Sequence, residues 1–255
     1  MDRKLTEYTF RTDKIARPLR FAVAPDIHSS PFEDVLEEFA RCDAVLLPGD
    51  LVDRHRRNNE LAERFLRTVP KIVPVFYSVG NHEWKFRIRE ALFRLVRESG
   101  ATLLDNESVR YKGICIGGFS SAEEKPDTGF LDRFEREAGY RLLLCHHPEY
   151  WRDYVNGRDI DLTLCGHAHG GQIQLRGRGL YAPGQGLFPK LTDGLYGDGK
   201  MLLSRGMTNG AKPRIPRINN PCELIILNLR SETELPCHSE AKPKDHYQTR
   251  KDGKP

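Results

Sequence analysis

Five short segments together contain six of the nine histidines of this 255-residue chain, three aspartates and one asparagine. In chain order, the candidate residues are Asp26, His28, Asp50, Asp53, Asn81, His82, His146, His147, His167 and His169. Packing does not explain such clustering on loop-like sequence. Aspartate and histidine are suitable ligands for Mn, Fe or Zn, and asparagine adds a neutral oxygen. The pattern therefore predicts a metal site with enough ligands for two ions.

The spacing within the segments indicates how the ligands would be arranged. Asp26 and His28 are two residues apart, as are His167 and His169, so on an extended chain both members of each pair point to the same side. Asp50 is a single carboxylate that could bridge two ions roughly 3.5–4 Å apart. Two such cations neutralise the charge of a phosphate ester and lower the pKa of a bridging water, so that hydroxide can attack phosphorus.

The departing alkoxide of such a reaction needs a proton. His82 is the candidate general acid, and Asp53 is placed to orient its ring by a hydrogen bond. Together with the ligands, these two residues predict hydrolysis of a phosphate monoester, a phosphodiester or a pyrophosphate.

Short apolar runs alternate with amphipathic runs along the chain. The predicted strands are residues 19–25, 44–47, 72–79, 110–118, 141–145, 160–165, 172–175, 200–204 and 223–229. The predicted helices are residues 34–41, 59–68, 84–98 and 129–137, and residues 177–199 are predicted as a long loop. Four of the five motifs follow directly on a strand, at the carboxyl edge where α/β proteins collect their sites. This order favours an α/β fold of two packed sheets flanked by helices.

Composition narrows the class of protein. No apolar run approaches the roughly 18 residues of a membrane-spanning helix, and residues 1–20 contain no stretch typical of a signal peptide. We therefore expect a cytoplasmic protein, with peripheral contact at the inner membrane face as the alternative. The net charge of +4 is modest and argues against dedicated nucleic-acid binding. The six cysteines form no CxxC pair, so we expect no disulfide framework.

The chain is predicted to contain one folded domain. Residues 1–18 form an N-terminal extension, residues 19–230 form the domain with all five motifs, and the polar, lysine-rich residues 231–255 form a disordered tail.

The five motifs resemble those of the calcineurin-like metallophosphoesterases. The family pattern of DxH, GDxxD, GNH(D/E), H and GHxH is met without a substitution, and the similarity extends over residues 19–229. Residues 166–173 (GHAHGGQI) and 201–206 further resemble one bacterial branch, the YkuE/YaeI-like phosphoesterases.

The resemblance implies a four-layer α/β/β/α sandwich, in which two mixed sheets are packed together and flanked by helices. It also implies a division of the ligands between two divalent metal ions. One ion would be held by Asp26, His28, Asp50 and His169. The other would be held by Asp50, Asn81, His146 and His167. Mn is the metal that we expect first, with Fe, Zn and Co as alternatives, and the resemblance gives His82 and Asp53 the same roles as above.

The His146–His147 pair and Arg54 each have two interpretations. His146 and His147 are adjacent, and a strand presents neighbours to opposite faces, so only one of them should be a ligand. The family's His-x-Pro spacing favours His146. Arg54 follows Asp53 as in the family's protein phosphatases, where the arginine contacts substrate phosphate. A solvated loop residue is the alternative for Arg54.

The sequence indicates the type of reaction more closely than it indicates the substrate. The branch resemblance and the apolar run Leu187-Phe188-Pro189 suggest a lipid-linked or nucleotide-sugar phosphate, because exposed apolar residues beside a polar site suit a substrate with both a phosphate and an acyl chain. Cyclic nucleotides, nucleic acid and phosphoproteins are the alternative substrates. The alternative function is a non-catalytic scaffold that keeps the fold and binds protein partners. Retention of the whole ligand set and of His82 argues against it.

Overall fold

The computed structural model describes residues 3–121, 125–210 and 215–232. The tail predicted to be disordered lies outside the described residues, except for Ser231 and Glu232 at its start. None of the helices in these described ranges is long and apolar enough to cross a bilayer.

Within the described ranges, six strands form the first sheet. They are β1 (Arg3–Thr12), β2 (Leu19–Val23), β3 (Ala44–Pro48), β4 (Val75–Ser78), β5 (Thr102–Leu104) and β16 (Cys222–Ser231), in the spatial order β1-β16-β2-β3-β4-β5. β16 runs antiparallel to β2, whereas the other neighbouring pairs are parallel. β1 was not predicted, because its residues are largely polar; Tyr8 and Phe10 are its partly buried contacts with the core.

The second sheet also has six strands among the residues described. They are β6 (Glu107–Tyr111), β7 (Ile114–Phe119), β8 (Arg141–Cys145), β9 (Leu162–Cys165), β14 (Gly194–Tyr196) and β15 (Met201–Leu203), in the order β14-β15-β9-β8-β7-β6. The two outer pairs are antiparallel and the inner pairs are parallel. The predicted loop of residues 177–199 contains short strands. β10 (Gln174–Leu175) pairs with β11 (Arg178–Gly179), and β12 (Tyr181–Ala182) pairs with β13 (Gly186–Leu187).

The helices are short. They are α1 (Leu36–Ala40), α2 (Glu60–Thr68), α3 (Asn81–Trp84), α4 (Arg89–Glu98), α5 (Thr128–Phe134) and α6 (Pro148–Tyr150). The helix predicted for residues 84–98 is divided into α3 and α4. Between them the chain tightens, since Phe86 N–H bonds to Glu83 O and Arg89 N–H bonds to Phe86 O, each three residues back.

Three buried clusters lie between four layers. Alternate residues of β3 illustrate the arrangement, because Val45 and Leu47 pack on the helix side of the first sheet while Leu46 packs between the sheets. The middle cluster joins Leu46 to Leu144 of the second sheet. The third cluster packs α5 against the far face of the second sheet through Phe130. The predicted α/β fold and its α/β/β/α layering are thus confirmed.

Candidate functional site

Five parallel strands deliver the predicted site residues to one place. In the first sheet, Asp26 follows β2, Asp50 follows β3, and Asn81 begins α3 shortly after β4. In the second sheet, His146 follows β8 and His167 follows β9. Parallel strands end at the same edge of a sheet, so each sheet gathers its motifs at its carboxyl edge. Contacts between residues of the two sheets bring the two edges together.

His146 lies at the junction between the sheets. Its Nε2 is 3.1 Å from Asp50 Oδ2 and 3.1 Å from Asn81 Oδ1, and 4.0 Å from Asp26 Oδ1. The backbone N–H of His167 donates to the Asp26 carboxylate at 3.0 Å. Residues from both sheets therefore face one another within the reach of a single cation.

Two motif glycines permit this close approach. Gly49 has a φ of 82°, and a Cβ at this position would lie 2.7 Å from His146 Nδ1. A Cβ on Gly80 would lie 2.2 Å from Asp50 Oδ1. Both contacts are too short for any side chain, so glycine is required where the GD and GN segments meet.

His28 provides the clearest indication of what the site binds. Its Nε2 is 3.8 Å from Asp26 Oδ1 and 3.9 Å from Asp50 Oδ2, and neither ring nitrogen has a hydrogen-bond partner among the described residues. Its side chain is nonetheless fully buried. His169 Nε2 lies 3.9 Å from the same Asp26 oxygen. Buried polar atoms are normally paired, and this mixed set of imidazole nitrogens and carboxylate oxygens fits a divalent transition metal.

The backbone at the site is strained. Among the thirteen non-glycine residues with positive φ in the described part of the chain, five are predicted ligands: Asp26, His28, Asp50, His167 and His169. Asp and His tolerate this left-handed region better than most residues, but it still has an energetic cost. Such strain concentrates at functional sites, where the surrounding structure maintains it.

Backbone carbonyls orient two of the imidazoles. His146 Nδ1 lies 2.8 Å from Pro48 O, and His169 Nδ1 lies 3.1 Å from Thr208 O. A proton on Nδ1 would donate to each carbonyl and leave Nε2 facing the carboxylates, as is usual for metal-ligating histidine. Arg217 contacts both partners of the second pair, since its guanidinium donates to Thr208 O at 2.9 Å and lies 3.2 Å from His169 Nδ1. Sequence analysis missed Thr208 and Arg217, which no motif marks.

Glu83 is a further residue without a predicted role. Its buried carboxylate accepts hydrogen bonds from the backbone N–H groups of Asp50 at 2.8 Å, Gly80 at 2.9 Å and Val52 at 3.1 Å. The N–H of His82 in turn donates to Asp50 Oδ1 at 2.9 Å. The acidic fourth position of the GNHE segment was the available signal for this role.

His82, Asp53 and Arg54 lie close together. The backbone N–H of Arg54 donates to His82 Nδ1 at 3.2 Å. Asp53 Oδ1 lies 3.3 Å from the same Nδ1, and His82 Nε2 lies 4.0 Å from Asp50 Oδ2. Arg54 and His82 both line a cavity of about 550 Å³ above the site. His55, which sequence analysis missed, lines it too, with its ring 5.5 Å from that of His82.

Burial and mutual charge set the ionisation of the cluster. Burial raises the pKa of Asp26 to about 7, an effect that His146 reduces. Burial also opposes ionisation of Asp50, but the nearby imidazoles, His146 foremost, hold the pKa of its carboxyl well below the usual range. Although burial disfavours its charged form, the carboxylates of Asp50 and Asp26 raise the pKa of His146 to about 10. Burial lowers the pKa of His28 to about 3. Metal-free, Asp50 and His146 thus form a charged pair, and His28 beside them is neutral.

His147 lies closer to the cluster than strand geometry suggested. Its ring is 5.1 Å from that of His146 and 4.3 Å from that of His167, and its Nδ1 lies 3.1 Å from Ser121 Oγ. The expected opposite orientation fails because β8 ends at Cys145, so strand alternation no longer applies to these residues. The preference for His146 as the ligand stays a prediction.

This chain is similar to a known protein family and to several individual proteins. The model of the family described as calcineurin-like phosphoesterase matches residues 19–171, more than half of the chain, and this span contains all five motifs. Protein YpbG of Bacillus subtilis (strain 168), an uncharacterized protein, is 29% identical over 82% of this chain and 84% of its own length. An uncharacterized metallophosphoesterase of Aquifex aeolicus (strain VF5) is 25% identical over 90% of this chain and 92% of its own length. Phosphodiesterase YaeI of Escherichia coli (strain K12) is 25% identical over 63% of this chain and 64% of its own length.

Proposed function

The chain belongs to the calcineurin-like phosphoesterase family, and we propose that it hydrolyses a phosphate mono- or diester at a site for two divalent cations, with His82 as the proton donor. The single observation that carries this proposal is the His28 ring, which is buried between Asp26 and Asp50 with both nitrogens unpaired among the described residues. A protein would not maintain this arrangement for stability alone.

We assign the ligands as the motifs predict. The first cation would be held by Asp26, His28, Asp50 and His169. The second would be held by Asp50, Asn81, His146 and His167. The grouping of donor atoms supports the first set, because those of Asp26, His28 and His169 lie within 4.8 Å of one another. The donor atoms of Asp26, Asp50 and His146 are grouped equally closely, so the two sets adjoin. Mn is the proposed metal, with Fe, Zn and Co as alternatives of similar ligand preference.

When bound, the cations supply positive charge that neutralises the phosphate and lowers the pKa of water. The chain itself contributes orientation. The Asp50 carboxylate is fixed by the His82 N–H, so it can serve two cations without moving. Arg54 lines the cavity and is placed to bind a phosphate oxygen through its guanidinium.

His82 completes the mechanism as general acid. In the proposed state Nε2 of His82, which lines the cavity, carries the proton for the leaving oxygen, and the Asp53 carboxylate 3.3 Å from Nδ1 favours the protonated ring by its charge. Burial disfavours the charged imidazolium, but the carboxylates of Asp50 and Asp53 outweigh it and raise the pKa of His82. A raised pKa favours the protonated form of the ring.

We further propose that the enzyme belongs to the YkuE/YaeI-like branch and accepts phosphodiesters. The similarity to YaeI, whose name describes a phosphodiesterase, supports this assignment. A lipid-linked or nucleotide-sugar substrate is supported by the β12–β13 hairpin. Pro183 and Gly184 in its turn line the cavity, whereas Leu187 and Phe188 at its end are 70% and 74% exposed.

The experiment that tests the function is reconstitution with Mn, followed by assays with p-nitrophenyl phosphate and bis-p-nitrophenyl phosphate and determination of metal on the same sample. Turnover with close to two metals per chain supports the proposal. Asp50→Asn should nearly abolish both turnover and metal binding, because this carboxylate serves both cations. Absence of metal and of turnover would instead favour a non-catalytic scaffold that binds protein partners.

A further inference from the structure

Gln172 is a buried polar residue that the mechanism does not use. It lines the cavity, yet its side chain is only 3% exposed. Its Oε1 is buried and has no hydrogen-bond partner among the described residues. A buried acceptor without a donor is unfavourable unless a ligand supplies the missing bond.

The backbone of Gln172 is held in a rare conformation. Its φ is 56° and its ψ is −71°, at the end of a segment in which His167, His169, Gly170 and Gly171 also have positive φ. Asn220 maintains this geometry, because its Nδ2 donates to Gln172 O at 3.0 Å and to His169 O at 2.7 Å. The fold therefore fixes the Gln172 main chain by other contacts and leaves the carboxamide oxygen unused. Strain that is maintained in this way commonly positions a side chain for function.

The cavity has two distinguishable ends. Four imidazole rings form a row across it, with centroid distances of 5.5 Å from His55 to His82, 4.6 Å from His82 to His28, and 5.2 Å from His28 to His169. Arg54 donates to His55 at one end of the row. His169 is at the other end of the row, and Gln172, which also lines the cavity, follows it by three residues and donates its backbone N–H to His169 O at 3.1 Å.

The position of the proton donor indicates which part of the substrate lies at each end of the cavity. A general acid must lie beside the oxygen that departs, so the leaving group occupies the end of the cavity near His82. The part of the substrate that stays on phosphorus then extends toward Gln172. Phosphate oxygens are acceptors and cannot bond to Oε1, so its partner must be a donor on the retained substituent.

We propose that Gln172 determines specificity by accepting, through Oε1, a hydrogen bond from a hydroxyl or N–H group on the retained substituent of a phosphodiester. This inference rests on the proposed function. A carboxamide suits the role because it remains neutral, whereas a carboxylate there would add charge beside the metal ligands. The substrate class is thus a diester whose retained group is a polyol, sugar, nucleoside or amide, and not a simple alkyl chain.

The test compares two diesters that differ by one hydroxyl, 3-hydroxypropyl p-nitrophenyl phosphate and propyl p-nitrophenyl phosphate, with the Mn-loaded enzyme. We expect kcat/KM to favour the hydroxylated diester roughly tenfold, since a site built for a donor rejects the analogue without one. In Gln172→Leu the ratio should approach one, with metal content unchanged. Inhibition by the products should follow the same order, with 3-hydroxypropyl phosphate binding more tightly than propyl phosphate in the wild type only.

Gln174→Leu is the matched control for damage to the loop. The Gln174 amide is fully engaged, donating to Gly170 O at 2.9 Å and to Asp193 Oδ1 at 2.8 Å, and Gln174 does not line the cavity. This variant should lower stability and keep the substrate ratio. Three results would overturn the role of Gln172 and leave the proposed function standing. They are turnover of the wild type without preference for the hydroxylated diester, an unchanged substrate ratio in Gln172→Leu, and loss of metal from Gln172→Leu. Failure of the metal-loaded protein to hydrolyse any ester would overturn the proposed function as well.

Discussion

The carboxylate of Glu83 accepts a hydrogen bond of 2.8 Å from the backbone N–H of Asp50, 33 residues earlier in the chain. The same carboxylate binds Gly80 N–H at 2.9 Å, so one buried side chain joins the segment after β3 to the segment after β4. Asp50 and His82 are the proposed bridging ligand and proton donor. Their relative position thus depends on a residue that is not an assigned ligand and does not line the cavity.

Glu83→Gln should destabilise the metal-free protein and weaken metal binding. The replacement presents an amide NH2 to backbone N–H groups, which leaves at least one buried donor unpaired at a cost of about 1–3 kcal/mol. Disturbed support of a ligand typically lowers metal affinity about 10–100-fold. Urea unfolding and Mn titration of the apo-protein measure the two effects.

Glu90→Gln on α4 is the control, because its carboxylate is 79% exposed and contacts only the neighbouring Arg89 among the described residues. It should leave both quantities unchanged. If Glu83→Gln and Glu90→Gln have the same stability and the same Mn affinity, the Glu83 contacts do not support the site.

The strands that carry the site could be predicted from sequence because they are continuous apolar runs. β3 and β8 are buried on both faces, and both were predicted within one residue of their observed bounds. β1 could not be predicted, since it is an edge strand whose polar residues pair with β16, about 220 residues later in the chain. A local pattern contains no information on such a long-range partner.

The site was predictable to the extent that its residues lie in motifs. The side chains that face the centre have fixed chemical types and spacing. The supporting residues do not, because Thr208 contributes a backbone carbonyl and Arg217 acts on His169 from 48 positions away. Positive φ at Asp26 and Asp50 was likewise unpredictable, since their backbone conformation is fixed by contacts between segments that are distant in sequence, such as Asp26 N–H to Gly49 O.

His82→Ala should lower turnover and retain metal. Loss of a general acid reduces kcat by about 10²–10⁴-fold, and no assigned ligand is removed. The loss should be smaller for p-nitrophenyl phosphate than for phenyl phosphate, because nitrophenolate departs more easily without a proton. Steady-state kinetics with both esters and metal analysis test this division of roles. Loss of both metals from the variant would contradict it.

Asp53→Asn should move the alkaline limb of the pH–rate profile to lower pH. The Asp53 carboxylate lies 3.3 Å from His82 Nδ1 and favours the protonated ring. Without that charge the pKa of His82 falls, so the acid form is lost earlier as the pH rises. Rates of wild type and variant at constant metal occupancy, from about pH 5 to about pH 10, measure the shift. A limb that stays in place would indicate that a group other than His82 donates the proton.

Metal binding to the apo-protein should release protons at neutral pH. Burial disfavours charge on His146, but Asp50 and Asp26 raise its pKa to about 10, so its ring holds a proton at pH 7 that a cation must displace. Asp26, with a pKa of about 7, is about half protonated at that pH and contributes a further fraction.

The sum is about one to two protons per chain, and metal affinity should therefore strengthen as the pH rises. Isothermal titration with Mn in buffers of different ionisation enthalpy counts the protons directly. His146→Gln should reduce the count by about one, since glutamine carries no titrating proton. A wild-type count of zero would show that the Asp50–His146 pair is not charged in the metal-free protein.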